Sequence, residues 1–539
     1  MLHQWLLALF GVSRFEDLAA RLKTPELEGF DENNVTRFHH VLRLSGGGTG
    51  RQGDVAPSHG RQVSPSELLA YDQNIVRHWR RITERRNHAG PFLYPKYFQY
   101  LALLFAEIYL DRYFRDPEGL LAQLNDYVQR FNETASEASR IQPYTKQDLN
   151  KVAFWMATGS GKTLLMHINI LQYQHYLDLH GRRVNRIILL TPNEGLSHQH
   201  LEEFQLSGID AELFSKEGRG LFTGHAVEIL DIHKLREEMG EKTVAVDAFE
   251  GNNLVLVDEG HRGTSGAEIG AWMQKRNQLC ENGFSFEYSA TFGQAMKASG
   301  NRALEQVYAK CILFDYSYKY FYGDGYGKDY RILNLADDSD ENVRRLYLTA
   351  CLLSFYQQIK LYREETGTFR PFLLERPLWI FVGASVNAVR TQNRRKVSDV
   401  VDILLSLAIF VRERGESVAS IDRLLGGRAG LLDAKRRDLF QGAFQYLNTL
   451  HLTPDQVFDD ILRVLFNAPT PAALHVENLK GTDGEIALRL GNNDAFGVIN
   501  VGDASALCKL CDEQGELVVT EKEFSGSLFR ALNDEASTI

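Results

Sequence analysis

Residues Phe154–Thr163 read FWMATGSGKT, and this stretch decides the fold of the 539-residue chain. The apolar run 152–156 predicts a buried strand, and apolar residues at helical spacing from Leu164 onward predict a helix. A strand, a glycine-containing loop ending in Gly-Lys-Thr and a helix together are typical of a phosphate-binding loop. Gly-Ser-Gly also occurs in ordinary turns, but the complete arrangement favours nucleotide binding.

Each residue type in this loop has a predicted chemical role. Lys162 would reach the β- and γ-phosphates, and the Thr163 hydroxyl would hold Mg²⁺. Backbone N–H groups would approach the phosphates because glycines leave the backbone uncovered, and the helix N-terminus favours negative charge. The strict pattern has glycine where this chain has Met156, so the pattern that fits is Ala-x-Gly-x-Gly-Lys-Thr. A nucleotide with Mg²⁺ is therefore the predicted ligand, with further contacts at Thr158, Gly159, Ser160 and Gly161.

The composition is that of an ordinary globular protein, with 44% hydrophobic and 24% charged residues. Because the formal net charge is -10, any nucleic-acid site must be a local patch. Five cysteines argue against a disulfide framework and favour a reducing, cytoplasmic location. Cys508 and Cys511 form a lone C-x-x-C, for which two ordinary thiols are favoured over a zinc site.

The N-terminal 90 residues predict helices, interrupted by a glycine-rich flexible linker at 45–60. Residues 77–86 form a basic helix that carries Trp79. This helix would either track a phosphate backbone, with Trp79 stacking on a base, or present a solvated face, which is the commoner case. The longest apolar region, 97–114, contains charged residues and predicts a buried helix rather than a membrane span.

From residue 152 the pattern changes to alternating strands and helices. Such alternation predicts an α/β fold, with a parallel sheet and helices on both faces. The apolar runs 187–190 and 254–257 suit central strands that are covered on both sides. The predicted elements are strands at 152–156, 186–191, 254–257 and 284–289, a helix at 162–177 and another after residue 191.

The strand at 254–257 ends in two carboxylates, Asp258 and Glu259, followed by Gly260 and His261. The carboxyl ends of parallel strands meet at one edge of the sheet, where ligands bind in open α/β folds. Asp258 would hold Mg²⁺ through water and Glu259 would activate the attacking water, which fits phosphoryl transfer. Asp-Glu at a strand end is common surface chemistry, but its place downstream of Gly-Lys-Thr makes it specific.

A third short motif, Ser289-Ala290-Thr291, ends the strand at 284–289 and alone carries almost no information. In this order, however, A-T-G-S-G-K-T, L-V-D-E-G-H and S-A-T resemble motifs I, II and III of superfamily 2 helicases. Gly260 replaces the more usual Ala or Cys of the DEAD and DEAH sequences, and both carboxylates and the histidine are kept.

The resemblance implies RecA-like P-loop NTPase lobes and assigns further roles. The segment 190–196 is similar to motif Ia, so Thr191 and Pro192 would contact the nucleic-acid backbone. Gln99 stands where the family often has a glutamine that reads adenine. The residues that would couple the nucleotide cleft to nucleic acid are His261, Ser289 and Thr291.

Three further segments indicate one branch of this superfamily: L-Y-P-K-Y-F-Q-Y, E-I-Y-L-D-R-Y-F and L-W-I-F-V-G. They look like the helicase subunit of type III restriction enzymes and related bacterial DNA-defence proteins, over residues 90–539. DNA is then the implied partner, with RNA less favoured and no membrane. Other subunits of a restriction or defence complex are further implied partners.

The expected domains are a helical region at 1–90, an ATP-binding lobe at 91–330 and a second lobe at 331–539. The second lobe is expected to be incomplete, because no segment resembles the arginine-bearing motif VI. Arg394 and Arg395 belong to a basic cluster that would bind phosphates or form a solvated face. Its predicted elements are a buried strand at 378–382, another strand at 498–501, a helix at 404–411, a helical insertion at 417–466 and an amphipathic helix at 524–532.

These inferences predict an ATP-dependent DNA helicase or translocase of the restriction-subunit type, with Lys162, Asp258 and Glu259 as catalytic residues. Two alternatives stay open. The same core supports an RNA helicase, and a missing arginine finger would suit a nucleotide-gated interaction subunit with little turnover. Retention of Glu259 argues against a purely binding role. The sequence holds no convincing nuclease constellation, so any DNA cleavage would reside elsewhere.

Overall fold

The computed structural model describes residues 1–45, 63–214, 226–232, 235–236, 244–245, 251–259, 275–300, 302–337, 339–372, 374–383, 389–392, 395–427, 429–482, 484–534 and 537–539. The predicted linker at 45–60 lies outside these ranges beyond residue 45. The chain divides into two compact units, Met1–Asp329 and Tyr330–Ile539. Within the described ranges, no helix is long and apolar enough to cross a membrane.

The first unit is built on a seven-stranded parallel sheet, as the alternating pattern predicts. In chain order its strands are β1 (Lys151–Met156), β2 (Arg186–Thr191), β3 (Ala211–Leu213), β4 (Val227–Asp231), β5 (Leu235–Arg236), β6 (Val244–Ala245), β7 (Asn253–Asp258), β8 (Phe284–Ser289) and β9 (Ile312–Tyr316). The short strands β5 and β6 pair only with each other. The remaining seven lie in the order β3-β4-β2-β7-β8-β1-β9, and all their pairings are parallel.

Strands β2 and β7 lie inside the sheet and are covered on both faces. Leu189 and Leu256 are paired in register and belong to one hydrophobic cluster. Their neighbours Ile188 and Val255 belong to a separate cluster, because successive side chains of a strand point to opposite faces. The prediction of central, doubly covered strands is confirmed.

Helices surround this sheet, and the N-terminal ones share its main core. They are α1 (Leu2–Leu9), α2 (Phe15–Leu22), α3 (Arg37–Ser45), α4 (Pro65–Ala89), α5 (Tyr97–Arg115), α6 (Pro117–Thr134), α7 (Lys162–Leu179), α8 (Glu194–Leu206), α9 (Phe292–Ser299), α10 (Arg302–Cys311) and α11 (Tyr318–Gly323). Trp5 of α1 and Leu103 of α5 belong to the same cluster as Phe154 of β1. The helix predicted at 97–114 is confirmed as α5, which is buried along almost its whole length.

The basic helix predicted at 77–86 is part of α4, and its tryptophan is not available to nucleic acid. Trp79 is 1% exposed, and its indole N–H donates to the Leu93 carbonyl oxygen at 2.8 Å. Base stacking by Trp79 is therefore wrong, because the ring is already packed in the core. Arg86 donates to Ser207 and to the Glu203 carboxylate, so part of the basic face binds α8 instead of solvent.

The second unit combines helices with a four-stranded mixed sheet. Its helices are α12 (Glu341–Glu364), α13 (Thr366–Phe369), α14 (Asp399–Arg412), α15 (Arg414–Leu425), α16 (Gln445–Thr449), α17 (Pro454–Leu465) and α18 (Ala504–Asp512). Its strands are β10 (Arg390–Gln392), β11 (Arg395–Val397), β12 (Leu474–Lys480), β13 (Glu485–Leu490), β14 (Gly497–Asn500) and β15 (Val518–Glu523). The sheet order is β14-β13-β12-β15, in which only the β12–β15 pairing is parallel. Strands β10 and β11 form a separate hairpin.

The second unit has its own hydrophobic core. Leu353, Phe458 and Leu488 belong to one cluster, which joins the helices to the sheet. Cys508 and Cys511 are both buried in that cluster. Burial raises the pKa of both thiols, that of Cys511 to about 12.

The buried strand predicted at 378–382 is wrong. These residues form no strand, and Val382 is 89% exposed. The apolar run has the composition of a strand, but a strand also needs a partner for its backbone N–H and C=O groups. In the described part of this unit, the four-stranded sheet is built from residues 474–523 and does not include the run.

The amphipathic helix predicted at 524–532 is also wrong, since only the short 3₁₀ turn Arg530–Asn533 forms there. Gly526 has a φ of +131°, which no α-helix accommodates. The Glu485 carboxylate accepts the Ser527 hydroxyl and the Leu528 N–H. Those donors are therefore taken by a distant strand rather than by a helical turn.

Candidate nucleotide-binding site

The phosphate loop, residues 157–161, connects β1 to α7 as predicted. Gly159 and Gly161 have φ of +84° and +85°, the left-handed region that favours glycine. Gly161 is also the residue that precedes the first turn of α7. The backbone therefore turns tightly before the helix and brings uncovered N–H groups to the helix N-terminus, where an anion binds well.

Gln99 of α5 lies directly against this loop. Its Nε2 donates to the Ser160 carbonyl oxygen at 3.0 Å, and its Oε1 accepts the Lys96 N–H at 2.9 Å. Although Gln99 and the loop are distant in sequence, the fold brings them into contact. In this structure the amide supports the loop, and its predicted contact with adenine stays a prediction.

Lys162 is half-buried at the start of α7 and lies close to the acidic end of β7. Its Nζ donates to the carbonyl oxygens of Met156 and Ala157 at 3.4 and 3.3 Å. Burial lowers the pKa of Lys162, while the charges of Glu259 and Asp258 act in the opposite direction. The ammonium group is thus held over the loop, within the field of both carboxylates.

The acidic strand end lies at the same sheet edge as the phosphate loop, because β8 alone separates β7 from β1. Asp258 Oδ2 accepts a hydrogen bond from His200 Nε2 at 2.9 Å, and Oδ1 accepts the Glu259 N–H at 3.0 Å. Burial would raise the pKa of Asp258, but the hydrogen bond and charge of His200 hold it below its usual value. Asp258 is therefore an ionised, oriented carboxylate at neutral pH.

Glu259 has an unusual backbone conformation. Its φ is +53°, a region that residues other than glycine occupy at a cost of about 1–3 kcal/mol. Such strain persists where the surroundings hold the residue, and it concentrates at functional sites. The strain at Glu259 agrees with the catalytic role predicted from its place after Asp258.

Ser289 ends β8, the strand between the phosphate loop and the acidic end of β7, and Thr291 follows two residues later. Ser289 is buried, and its hydroxyl accepts the Thr291 N–H at 3.0 Å. Trp155 Nε1 donates to the Ala290 carbonyl oxygen at 3.0 Å, which fixes the segment against β1. The Thr291 hydroxyl is buried and has no hydrogen-bond partner among the described residues. The three predicted motifs therefore lie on adjacent strands.

The segment after β2 is less accessible than its predicted role requires. Thr191 is buried, and its hydroxyl lies 2.6 Å from that of Ser197. Pro192 is also buried, whereas Asn193 is exposed and caps α8 by accepting the Leu196 N–H. Contact between this segment and nucleic acid stays a prediction.

Four other residues of the predicted motifs and basic cluster lie wholly or partly outside the described part of the structure. Gly260, His261 and Arg394 are outside the described ranges. Arg395 begins β11, where only the backbone is described.

His200 is the site residue that the sequence analysis missed. It follows the motif Ia-like segment, but no sequence pattern indicates that its ring reaches Asp258. The contact exists because α8 packs against β2, β3 and β4, and β2 pairs with β7, a placement that depends on the whole sheet. A histidine on the helix after motif Ia would have been the only local signal.

The residues present fit a magnesium nucleotide. The loop offers uncovered backbone donors and Lys162, which lies in the field of Asp258 and Glu259, and Thr163 lies on the first turn of α7. Among the described residues, no group of three or more His, Cys, Asp or Glu could hold a metal by itself. Mg²⁺ uses one or two carboxylates together with phosphate oxygens and water, and Asp258 is an ionised carboxylate at this sheet edge.

The parallel sheet, the phosphate loop and the acidic end of β7 together define a RecA-like P-loop NTPase lobe. Residues 122–294 match the family model described as "Type III restriction enzyme, res subunit". This match confirms the resemblance to superfamily 2 helicases of the restriction branch over the segment that carries all three motifs.

Two solved structures are similar to the chain at low identity. The helicase domain of Hef from Pyrococcus furiosus is 11% identical with a TM-score of 0.26, over 74% of this chain and 86% of that chain. The SWI2/SNF2 ATPase core from Sulfolobus solfataricus, in complex with dsDNA, is 9% identical with a TM-score of 0.21, over 76% and 78%. No curated protein matches the chain.

Proposed function

We propose that the first unit is the ATP-hydrolysing lobe of a DNA helicase or translocase of the restriction-subunit type. The observation that carries this proposal is the proximity of Lys162 to Asp258 and Glu259 at one edge of a parallel sheet. The preference for DNA over RNA rests on the restriction description of the matched family model.

In this proposal each residue at this edge of the parallel sheet has a separate role. Lys162 and the loop N–H groups bind the β- and γ-phosphates, and Thr163 and Asp258 hold Mg²⁺. Glu259 orients the attacking water and takes its proton. The bound metal would neutralise charge that develops on the phosphate oxygens. The remaining steps are positioning by the protein, which dominates phosphoryl transfer.

The remaining predicted residues are proposed contacts and couplers. Gln99 would add an adenine contact to its support of the loop. The residues proposed to link the nucleotide to DNA are Thr191, Pro192, His261, Ser289, Thr291, Arg394 and Arg395. Residues 331–539 would act as the second lobe and 91–330 as the first, in the cytoplasm and with other subunits of a restriction or defence complex.

ATP turnover and nucleotide binding, each with and without DNA, test the proposal. We expect Lys162→Ala to weaken nucleotide binding by about tenfold or more, since it removes a charged hydrogen bond. Glu259→Gln should keep binding and slow turnover by about 10²–10⁴-fold, the typical contribution of a general base. Lys146→Ala is the control, because Lys146 is exposed and lies before β1.

The alternatives give different results in the same experiment. Nucleotide binding that is lost in Lys162→Ala, without turnover in any form, would favour the nucleotide-gated subunit. Salt-matched binding to DNA and RNA strands separates the two helicase classes, because contacts to the 2′-hydroxyl favour RNA. A wild-type chain that binds no nucleotide would contradict all three.

A further inference from the structure

His200 makes a buried contact that none of the predicted motifs includes. The side chains of His200 and Asp258 are 5% and 13% exposed, and Nε2 lies 2.9 Å from Oδ2. The other ring nitrogen, Nδ1, is buried and has no hydrogen-bond partner among the described residues. Among those residues, the contact with Asp258 is therefore the hydrogen bond that orients this ring.

The contact completes the fixation of the Asp258 carboxylate. Oδ1 already accepts the Glu259 N–H at 3.0 Å, so each oxygen has one donor, and the plane of the carboxylate is set from two sides. The Asp258 carboxylate therefore connects His200 of α8 to the backbone of Glu259, the proposed base. Without the His200 donor, the Asp258 carboxylate could rotate out of this orientation.

Helix α8 is held at both ends, which makes His200 a rigid donor. At its N-terminus, Asn193 caps the Leu196 N–H at 2.9 Å. Just after its C-terminus, the Ser207 hydroxyl accepts from Arg86 Nη1 at 2.9 Å and lies 2.7 Å from His167 Nδ1. A donor carried by such an anchored element keeps its position when a ligand binds.

We propose that His200 is a positioning residue that holds Asp258 in the orientation needed to bind Mg²⁺ together with a nucleotide. The inference rests on the proposed function of the site. Partners behind a metal-binding carboxylate or imidazole contribute about 10–100-fold to metal affinity. The alternative is a purely structural contact, which would affect the folded state with or without the metal.

Calorimetric binding of ATPγS to the full chain, with and without Mg²⁺, separates these roles. His200→Asn removes the donor, because the amide is too short to reach the Nε2 position, and His200→Gln restores a donor there. His198→Asn on the exposed side of α8 is the matched control. Thermal unfolding without nucleotide is measured for every variant.

We expect the Mg²⁺-dependent gain in ATPγS affinity to fall about 10–100-fold in His200→Asn. It should stay near the wild-type value in His200→Gln and His198→Asn. Magnesium-free affinity should be the same in all four proteins, whereas the unfolding temperature should fall in His200→Asn alone, because that variant loses a hydrogen bond to a buried carboxylate.

An unchanged Mg²⁺-dependent gain in His200→Asn would overturn the inference while leaving the proposed function intact. A parallel loss of magnesium-free affinity in that variant would also overturn it, since a purely structural role predicts a loss with or without the metal. A wild-type chain that binds no ATPγS would instead remove the proposed function itself.

Discussion

At residue 161, backbone conformation and packing independently require glycine. Its φ of +85° costs any other residue about 1–2 kcal/mol. A Cβ at this position would also overlap Nε2 of Gln99, which donates to the Ser160 carbonyl oxygen. The Gln99 amide of α5 thus occupies the space that a side chain at residue 161 would need.

Gly161→Ala is therefore expected to lower the free energy of unfolding by more than the backbone strain at a positive φ would lower it. Gly181→Ala is the matched control, because Gly181 has a φ of +61° and nothing within 4 Å of its Cβ position. We expect Gly161→Ala to lower the free energy of unfolding by about 1 kcal/mol more than Gly181→Ala, the usual worth of a hydrogen bond. Urea denaturation measures both, and in a Gln99→Ala background the two costs should become equal. Equal costs in the wild-type background would contradict the fit.

Glu107 shows how a buried carboxylate makes stability depend on pH. Burial raises its pKa to about 7, although Asn74, Gln172 and Tyr176 all donate to it. Between pH 4.5 and 7 the folded chain keeps a proton that the unfolded chain has lost. Stability therefore falls as pH rises through this window, and above pH 7 the loss is complete at about 3 kcal/mol.

Glu107→Gln should remove this loss, because the amide oxygen can still accept from Asn74 and Gln172. We expect the variant to be more stable than wild type at pH 8, and the advantage to shrink toward pH 5. Urea denaturation at several pH values measures the difference. Glu84→Gln, on the exposed face of α4, should follow the wild-type curve. A Glu107→Gln difference that is independent of pH would show that Glu107 has an ordinary pKa.

At the scale of elements, the basic face of α4 separates residues that stabilise the fold from residues that face solvent. Arg86 donates to Ser207, to the Glu203 carbonyl oxygen and to the Glu203 carboxylate, whereas Arg81 is exposed. We expect Arg86→Ala to lower the free energy of unfolding by about 2 kcal/mol, in the range for charged hydrogen bonds. Arg81→Ala should change stability by less than about 0.5 kcal/mol.

The same pair of variants tests whether α4 tracks nucleic acid. Neither substitution should change DNA affinity if the helix serves to anchor α8. A selective loss of DNA binding in Arg81→Ala, measured at matched salt, would revive the phosphate-tracking interpretation of this helix. Denaturation and binding are measured on the same preparations.

The elements of the first unit were predictable because their signals are local. The run 186–191 is apolar between Arg186 and Thr191, the run 284–289 alternates aromatic and polar residues, and the strands have those same bounds. The run 378–382 has similar composition, but a strand forms only with a partner, which composition does not specify. The position of α8 against β2, β3 and β4 has the same long-range origin, so the contact of His200 with Asp258 was missed.

At the scale of the whole molecule, the described site residues are concentrated in one unit. Gln99, Lys162, His200 and Asp258 all lie within Met1–Asp329. The core of that unit is separate from the cluster of Tyr330–Ile539. Nucleotide binding should therefore need only the first unit, even if turnover on DNA needs both.

A polypeptide of residues 1–329 is accordingly expected to fold cooperatively and to bind Mg²⁺–ATPγS within about threefold of the full chain, a difference below 1 kcal/mol. DNA-stimulated turnover should fall strongly in the shortened chain, because the proposed second lobe supplies DNA contacts that the first unit lacks. Urea denaturation and calorimetry provide the measurements, with Lys162→Ala in the shortened chain as the negative control. If the shortened chain is folded but binds ATPγS more than about tenfold more weakly, then residues beyond 329 contribute directly to the nucleotide site. The tasks proposed for the two units would then have to be assigned again.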